Sequence, residues 1–190
     1  MYPVRLASST VLLREFTEND TDALYKVYGD EDATRHLSFE PRSIGQVRDI
    51  VASAIESART DPRTVYMLAV ANTSETPGEE LVGAARLALG EYQSAQIGFA
   101  LRPDQWGKGK GTETVHLLQY LGFRELGLHR IWGARSPLNH VSARTMSAAK
   151  MVEEGTIRGH LFTRGAWRDS VVQSILADEV ELDELAILPA

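Results

Sequence analysis

The sequence predicts a layered domain of the mixed α/β class, α+β in the order of its elements. Three observations carry that expectation. About seven short runs are rich in strand-forming residues and bounded by turn signals. Four longer runs repeat their apolar residues at helical spacing. The two kinds are interleaved as strand, two helices, a meander of three strands, then helix, strand, helix and two strands. At 190 residues, 43% of them hydrophobic, the chain is long enough for one well-buried domain and short for two. A single domain over residues 1–190 is expected, with its core over about 10–177 and a short C-terminal tail over 178–190.

The elements follow in chain order. Val11 to Arg14 read as a short opening strand. TENDTDALYKVYGD is acidic early and sets Leu24, Val27 and Tyr28 at helical spacing. PRSIGQVRDIVASAIESARTDP puts Ile44, Val47, Ile50, Val51, Ala54 and Ile55 on one face of an amphipathic helix, and Pro62 lies beyond its end. TVYMLAV (Thr64 to Val70), LVGAARLAL and SAQIGFAL form the meander, with NTSETPGEE and Gly90-Glu91 as turns. TETVHLLQYLGFRELG is the strongest helix, with Val115, Leu118 and Leu126 on one side and Gly127 as its C-cap. HRIWGARS is a strand and NHVSARTMSAAKM a helix. VEEGTIRGHLFTRGAWRDSVVQSIL makes two strands joined near Arg164 and Gly165.

Composition excludes several classes of function. A net charge of −6 gives no electrostatic footprint for nucleic acid or an anionic membrane. The absence of cysteine excludes disulfides, thiolate metal sites and a cysteine nucleophile. The histidines lack metal-ligand spacing, so no metal is expected. No apolar stretch approaches membrane-spanning length, and MYPVRLASST lacks the apolar core of a signal peptide. A cytoplasmic location is the expectation.

The most informative stretch is RPDQWGKGKGTE, which alternates Gly107, Gly109 and Gly111 with Lys108 and Lys110 between a strand and a helix expected to begin near Thr112. A helix N-terminus offers unpaired N–H groups and the positive end of the dipole, and glycines let an anion approach the backbone. The spacing fits neither a Walker A loop nor the dinucleotide fingerprint, whose third glycine would come one residue later.

The stretch IGFALRPDQWGKGKGTETVHLLQYLGFRELGLHRI, followed by NHVSARTMSAAKMVEEGTIRGH, resembles the GNAT superfamily of acyl-CoA-dependent N-acetyltransferases, and most of all its ribosomal-protein N-acetyltransferase branch. Gly109 and Gly111 match the family's pyrophosphate loop, while Trp106 stands where Gln or Arg is usual. VLLREFTENDTDALYKVYGDEDATRHL resembles the start of that branch, so the likeness runs from about Val11 to Leu176. It implies a central mixed, largely antiparallel sheet with helices on both faces and a splay between two central parallel strands. Acetyl-CoA would lie in that splay, its pantetheine arm along Phe99 to Leu101 and its pyrophosphate on the N–H groups of Trp106 to Thr112, a run that includes Gly107, Lys108, Gly109, Lys110 and Gly111. The acceptor would be a primary amine, either a protein N-terminus or a small molecule. The protein would act as a monomer or homodimer, without nucleic acid, membrane or metal.

Asn139, Ser142 and Arg144 match the family's Asn-x-x-Ser-x-Arg signature. Asn139 is also a good N-cap for the helix that follows it. The resemblance gives Asn139 and Ser142 catalytic roles, Ser142 donating to the leaving thiolate, and lets Asn139 and Arg144 contact the cofactor. Glu113 would favour the helix N-terminus, and Asp169 in WRDS suits a structural hydrogen bond. His116, His129 and His140 read as surface or packing residues. His36, Phe39 and His160 would border the acceptor site.

Amine acetylation requires loss of a proton from the acceptor ammonium, polarisation of the thioester carbonyl and stabilisation of the thiolate. Leu161 and Gln96 stand where relatives carry glutamates. A water chain, His36 or His160 is therefore left as the route for the proton. The missing carboxylate also leaves open a second class, a catalytically weak or inactive acyl-CoA-binding protein of the same fold.

Overall fold

Eight strands among the described residues, several of them rich in Val, Leu and Ala, are all hydrogen-bonded into one sheet. The structure, a computed structural model, describes residues 2–73 and 79–181. The strands are β1 (Arg5–Ala7), β2 (Val11–Arg14), β3 (Val65–Asn72), β4 (Leu81–Leu89), β5 (Ser94–Leu101), β6 (Arg130–Arg135), β7 (Val152–Thr163) and β8 (Ala166–Leu176). Their order across the sheet is β1-β2-β3-β4-β5-β6-β8-β7. Every neighbouring pair is antiparallel except β5 and β6. The helices are α1 (Thr21–Tyr28), α2 (Glu31–Thr34), α3 (Ile44–Ala58), α4 (Lys110–Tyr120) and α5 (His140–Ala148).

Three details differ from the sequence expectation. The sheet gains β1, whose three residues are too few to show an alternation. The link after α1 contains α2, one turn capped by Asp30, whose side chain accepts from the Ala33 N–H at 2.8 Å. Helix α4 starts at Lys110, earlier than expected, because Gly109 in the left-handed region serves as its N-cap. The turn expected over 72–80 falls partly on residues 74–78, and the tail expected over 178–190 falls mostly on 182–190; those residues lie outside the described ones.

The strand period of two sends alternate residues of β3 to opposite faces. Leu68 and Val70 meet α4 and α5 through Val115, Leu117, Leu118 and Met146. Ala69 meets α1 and α3 through Leu24, Val27, Val47 and Val51. Leu117, Leu118 and Leu121 are fully buried, each contributing about 1.5–3 kcal/mol of transfer free energy. Ser43 starts α3 with a reciprocal capping box, its hydroxyl accepting from Gln46 N at 3.3 Å and its own N–H donating to Gln46 Oε1 at 2.9 Å.

Two buried ion pairs anchor the first strands. Asp20, 6% exposed, accepts from both terminal nitrogens of Arg14 at 2.8 Å and from Thr17 N at 2.7 Å. Glu15 accepts from Arg63 at 2.7 and 3.0 Å and from Val4 N at 3.0 Å.

The feature that positions the site is where β5 and β6 part. They are in register only from Ser94–Arg130 to Ile97–Gly133. Beyond that β5 stays on β4 as far as Leu101, and β6 stays on β8 as far as Arg135. The facing edges of the two strands are left open to each other, which is the expected splay. No helix among the described residues is long and apolar enough to cross a membrane. Among them, too, no group of three His, Cys, Asp or Glu side chains is placed to hold a metal ion.

Candidate active site

At the end of β5 the chain turns through Pro103–Gln105 into the glycine run. The Trp106 N–H donates to the Pro103 carbonyl at 3.1 Å, and its indole N–H to the Leu101 carbonyl at 2.9 Å. The Trp106 amide is therefore already used, which narrows the expected anion-binding run. Glu113 N donates to the Gly109 carbonyl at 3.2 Å. Between these two, the amides of residues 107–112 have no protein partner among the described residues. Gly107 and Gly109 adopt φ of +72° and +78°, a region that costs any residue with a Cβ. Gly111 permits a close approach of helices, since a Cβ there would lie 3.2 Å from Thr145 Cγ2 of α5.

The loop is braced from two sides. The Lys110 ammonium donates to Asn72 Oδ1 at the end of β3 and to Gln105 Oε1 at 2.7 Å. Its pKa is lowered, first by burial and then by Lys108. Lys110 thus ties the loop together as well as adding charge, because β3 brings Asn72 beneath it. Glu113 reaches back to the β1–β2 turn, accepting from the Ser8 hydroxyl, from Thr10 N at 3.1 Å and from Thr10 Oγ1 at 3.0 Å.

A cavity of about 780 Å³ opens between the end of β5, this loop, the start of α5 and residues 32–37. That volume suits a cofactor-sized ligand. Of the residues singled out from sequence, Phe99, Leu101, Trp106, Gly107, Gly109, Lys110, Gly111, Thr112, Asn139, Ser142, Arg144 and His36 all line it. Lys108, Phe39 and His160 do not. Lys108 is exposed. Phe39 packs edge-on against Tyr28, ring centroids 4.9 Å apart, with the Arg42 guanidinium 4.8 Å over its ring. His160 lies in the irregular pairing between Ile157 and Leu161, its Nδ1 buried with no partner among the described residues. Nearby, Asp169 accepts from Gly159 N at 2.8 Å.

Asn139 caps α5, its Oδ1 accepting from Ser142 N at 2.9 Å. Ser142 lines the cavity, and its hydroxyl has no hydrogen-bond partner among the described residues. Asp32 is the one carboxylate among the lining residues, and it pairs with Arg35. Arg35, Lys110 and Arg144 supply cations, and His36 and His140 supply imidazoles. This balance favours an anionic ligand. The His36 pKa is lowered, first by burial and then by Arg35, Arg168, His140 and Arg164.

Sequence reasoning left out Gln105, Leu138, His140, Val141, Thr145 and Ala148, which also line the cavity. The signal for some of them was present. Val141, Thr145 and Ala148 recur at helical spacing alongside Ser142. Leu138 and Val141 are apolar yet 73% and 53% exposed, as a cavity mouth allows.

Residues 10–152 match a family model described as an acetyltransferase (GNAT) domain. An uncharacterized N-acetyltransferase, YoaA of Bacillus subtilis, is 25% identical over 177 residues, which is 93% of this chain and 98% of that protein. A GNAT-family acetyltransferase from Bacillus anthracis has a similar structure, with a TM-score of 0.81 and 22% identity over 93% of this chain and all of that one. RimJ of Mycobacterium smegmatis, solved in complex with CoA-disulfide, gives a TM-score of 0.79 and 22% identity over 95% of this chain and 90% of that one.

Proposed function

The chain belongs to the GNAT acetyltransferase family and is an acetyl-CoA-dependent N-acetyltransferase; from that premise we propose that residues 10–177 form one catalytic domain whose 780 Å³ cavity holds acetyl-CoA. The observation that carries this reading is the row of amides over residues 107–112, without a partner among the described residues, at the N-terminus of α4 beside the open edge of β5. Those amides would hold the diphosphate, and the backbone of Phe99 to Leu101 would pair with the amides of the pantetheine arm. Arg144 and the Asn139 cap would contact the same ligand. Acetyl-CoA supplies the activated acyl thioester. The Ser142 hydroxyl, on the cavity wall and without a partner among the described residues, would donate to the sulfur as it gains charge.

The acceptor proposed is a primary amine with a single ammonium, either a protein N-terminus or a small monoamine. Its support is the lining charge: one carboxylate, already paired with Arg35, provides no array for a polycation. Acetyl-CoA turnover with a panel of dipeptides, small monoamines and polyamines tests this. Monoamines or peptides are expected to turn over best, and a preference for polyamines would contradict the reading.

Ser142→Ala is expected to lower kcat about 10-fold or more while changing the KM for acetyl-CoA less than about twofold. A hydrogen bond to a charged group is worth about 1.5–3 kcal/mol, and this one gains strength only as the thiolate forms. Steady-state kinetics read both constants. An unimpaired variant would return Ser142 to plain helix chemistry.

A further inference from the structure

We infer that His36 takes the proton from the acceptor ammonium, an inference that rests on amine acetylation as the reaction in this cavity. The basic or acidic lining side chains other than the arginines are His36, His140, Asp32 and Lys110; Asp32 is engaged by Arg35, and Lys110 by Asn72 and Gln105. His140 is exposed at the first position of α5, whereas His36 is half-buried. His160, the other histidine that the sequence left in contention, is not part of the cavity wall.

The segment carrying His36 is held in place. Arg168 of β8 donates through one terminal nitrogen to the carbonyls of His36 and Leu37, each at 3.0 Å. Leu37 N donates to the Thr34 carbonyl at 2.9 Å. Arg164, in the β7–β8 turn, pairs with Glu31 of α2 at 2.6 Å. The hairpin thus clamps both α2 and the residues after it, which holds the backbone that carries His36 at the cavity wall.

The charges around His36 suit the role. Arg35 adjoins it, paired to Asp32; Arg164 stands with Glu31; Arg168 comes from β8 and His140 from α5. Burial first, and then these cations, lower the His36 pKa and so disfavour the imidazolium. They disfavour the acceptor's ammonium for the same reason.

One N–H proton passes from the ammonium to an imidazole nitrogen of His36 and on to solvent. The freed lone pair forms the C–N bond to the acyl carbon as the C–S bond breaks, and its electron pair goes to sulfur. The second proton lost from nitrogen ends on that sulfur, giving the N-acetyl product, free CoA thiol and one proton released.

The test is the rate of acetylation of a monoamine against pH, in the parent protein and in His36→Gln and His36→Ala. The parent's kcat/KM for the amine should show an acidic limb with its midpoint below the ordinary imidazole value of about 6.5. His36→Gln should lose about 10²-fold in that constant and lose the limb, following only the amine's own ionisation. Its affinity for CoA, read by calorimetry, should stay within about twofold of the parent's, which excludes misfolding. Added imidazole should restore part of the activity of His36→Ala. An active parent whose limb and rate survive in His36→Gln, or a His36→Ala enzyme that imidazole does not help, overturns the assignment alone. A parent that acetylates no amine overturns it together with the reading on which it rests.

Discussion

Gly109→Val is expected to weaken CoA binding about 30- to 150-fold, from a loss of about 2–3 kcal/mol. Gly109 caps α4 at φ +78°, a left-handed conformation that costs a residue with a Cβ about 1–2 kcal/mol and a β-branched one more. An added Cβ there meets nothing within 4 Å, so packing against the rest of the protein is not what suffers. The valine side chain would instead occupy space that the anion needs, beside the amides of residues 107–112. Calorimetric titration with CoA reads the effect. An unchanged affinity would remove the loop from the cofactor site.

Asp20→Ala is expected to lower the unfolding free energy by about 3–5 kcal/mol, because it leaves a largely buried cation without its bidentate partner. Asp20 and Arg14 have side chains 7% and 14% exposed; the other carboxylate at Arg14 is that of Glu79, at 3.1 Å, and the carbonyls of Glu15 and Glu79 accept from it at 3.0 and 3.3 Å. Burial alone would raise the Asp20 pKa, but the Arg14 guanidinium and the Thr17 N–H together outweigh it, and the net shift is downward. A carboxyl lowered on folding stabilises the protein above its unfolded pKa of about 3.9 and loses that contribution as pH falls through the folded value. The difference between parent and Asp20→Ala should therefore be full at neutral pH and shrink below about pH 4. Urea unfolding at neutral and acidic pH measures it, and equal midpoints at neutral pH would contradict it.

What was legible in the sequence is what local pattern encodes. The long periodic run of α3 and the β-rich runs of β3 to β5 stand where spacing places them, while α4 opens earlier than expected and passes after Tyr120 into a π-helical turn over Leu121–Glu125. The glycine alternation and the Asn139 cap are local signals, and the loop and the α5 N-terminus they announce both line the cavity. Among the short elements β2 was legible from its apolar VLL, whereas β1 and α2, of three and four residues, showed no period. Roles set by distant partners were not legible. Lys110 reads as a free cation until β3 brings Asn72 to it across 38 residues. Phe39 reads as an acceptor-site aromatic until Tyr28 and Arg42 enclose it. His36 and His160 look equivalent in the sequence. What separates them is the hairpin, whose Arg168 reaches the His36 carbonyl across 132 residues while His160 is drawn into irregular strand pairing.

A crystal structure of the protein with CoA tests the assignment of the cavity most directly. The expected result is density for the diphosphate on the amides of residues 107–112, the pantetheine arm along Phe99 to Leu101 in the splay between β5 and β6, and the sulfur beside the Ser142 hydroxyl. CoA bound elsewhere, or bound in the cavity with those amides and the β5 edge disengaged, would contradict it.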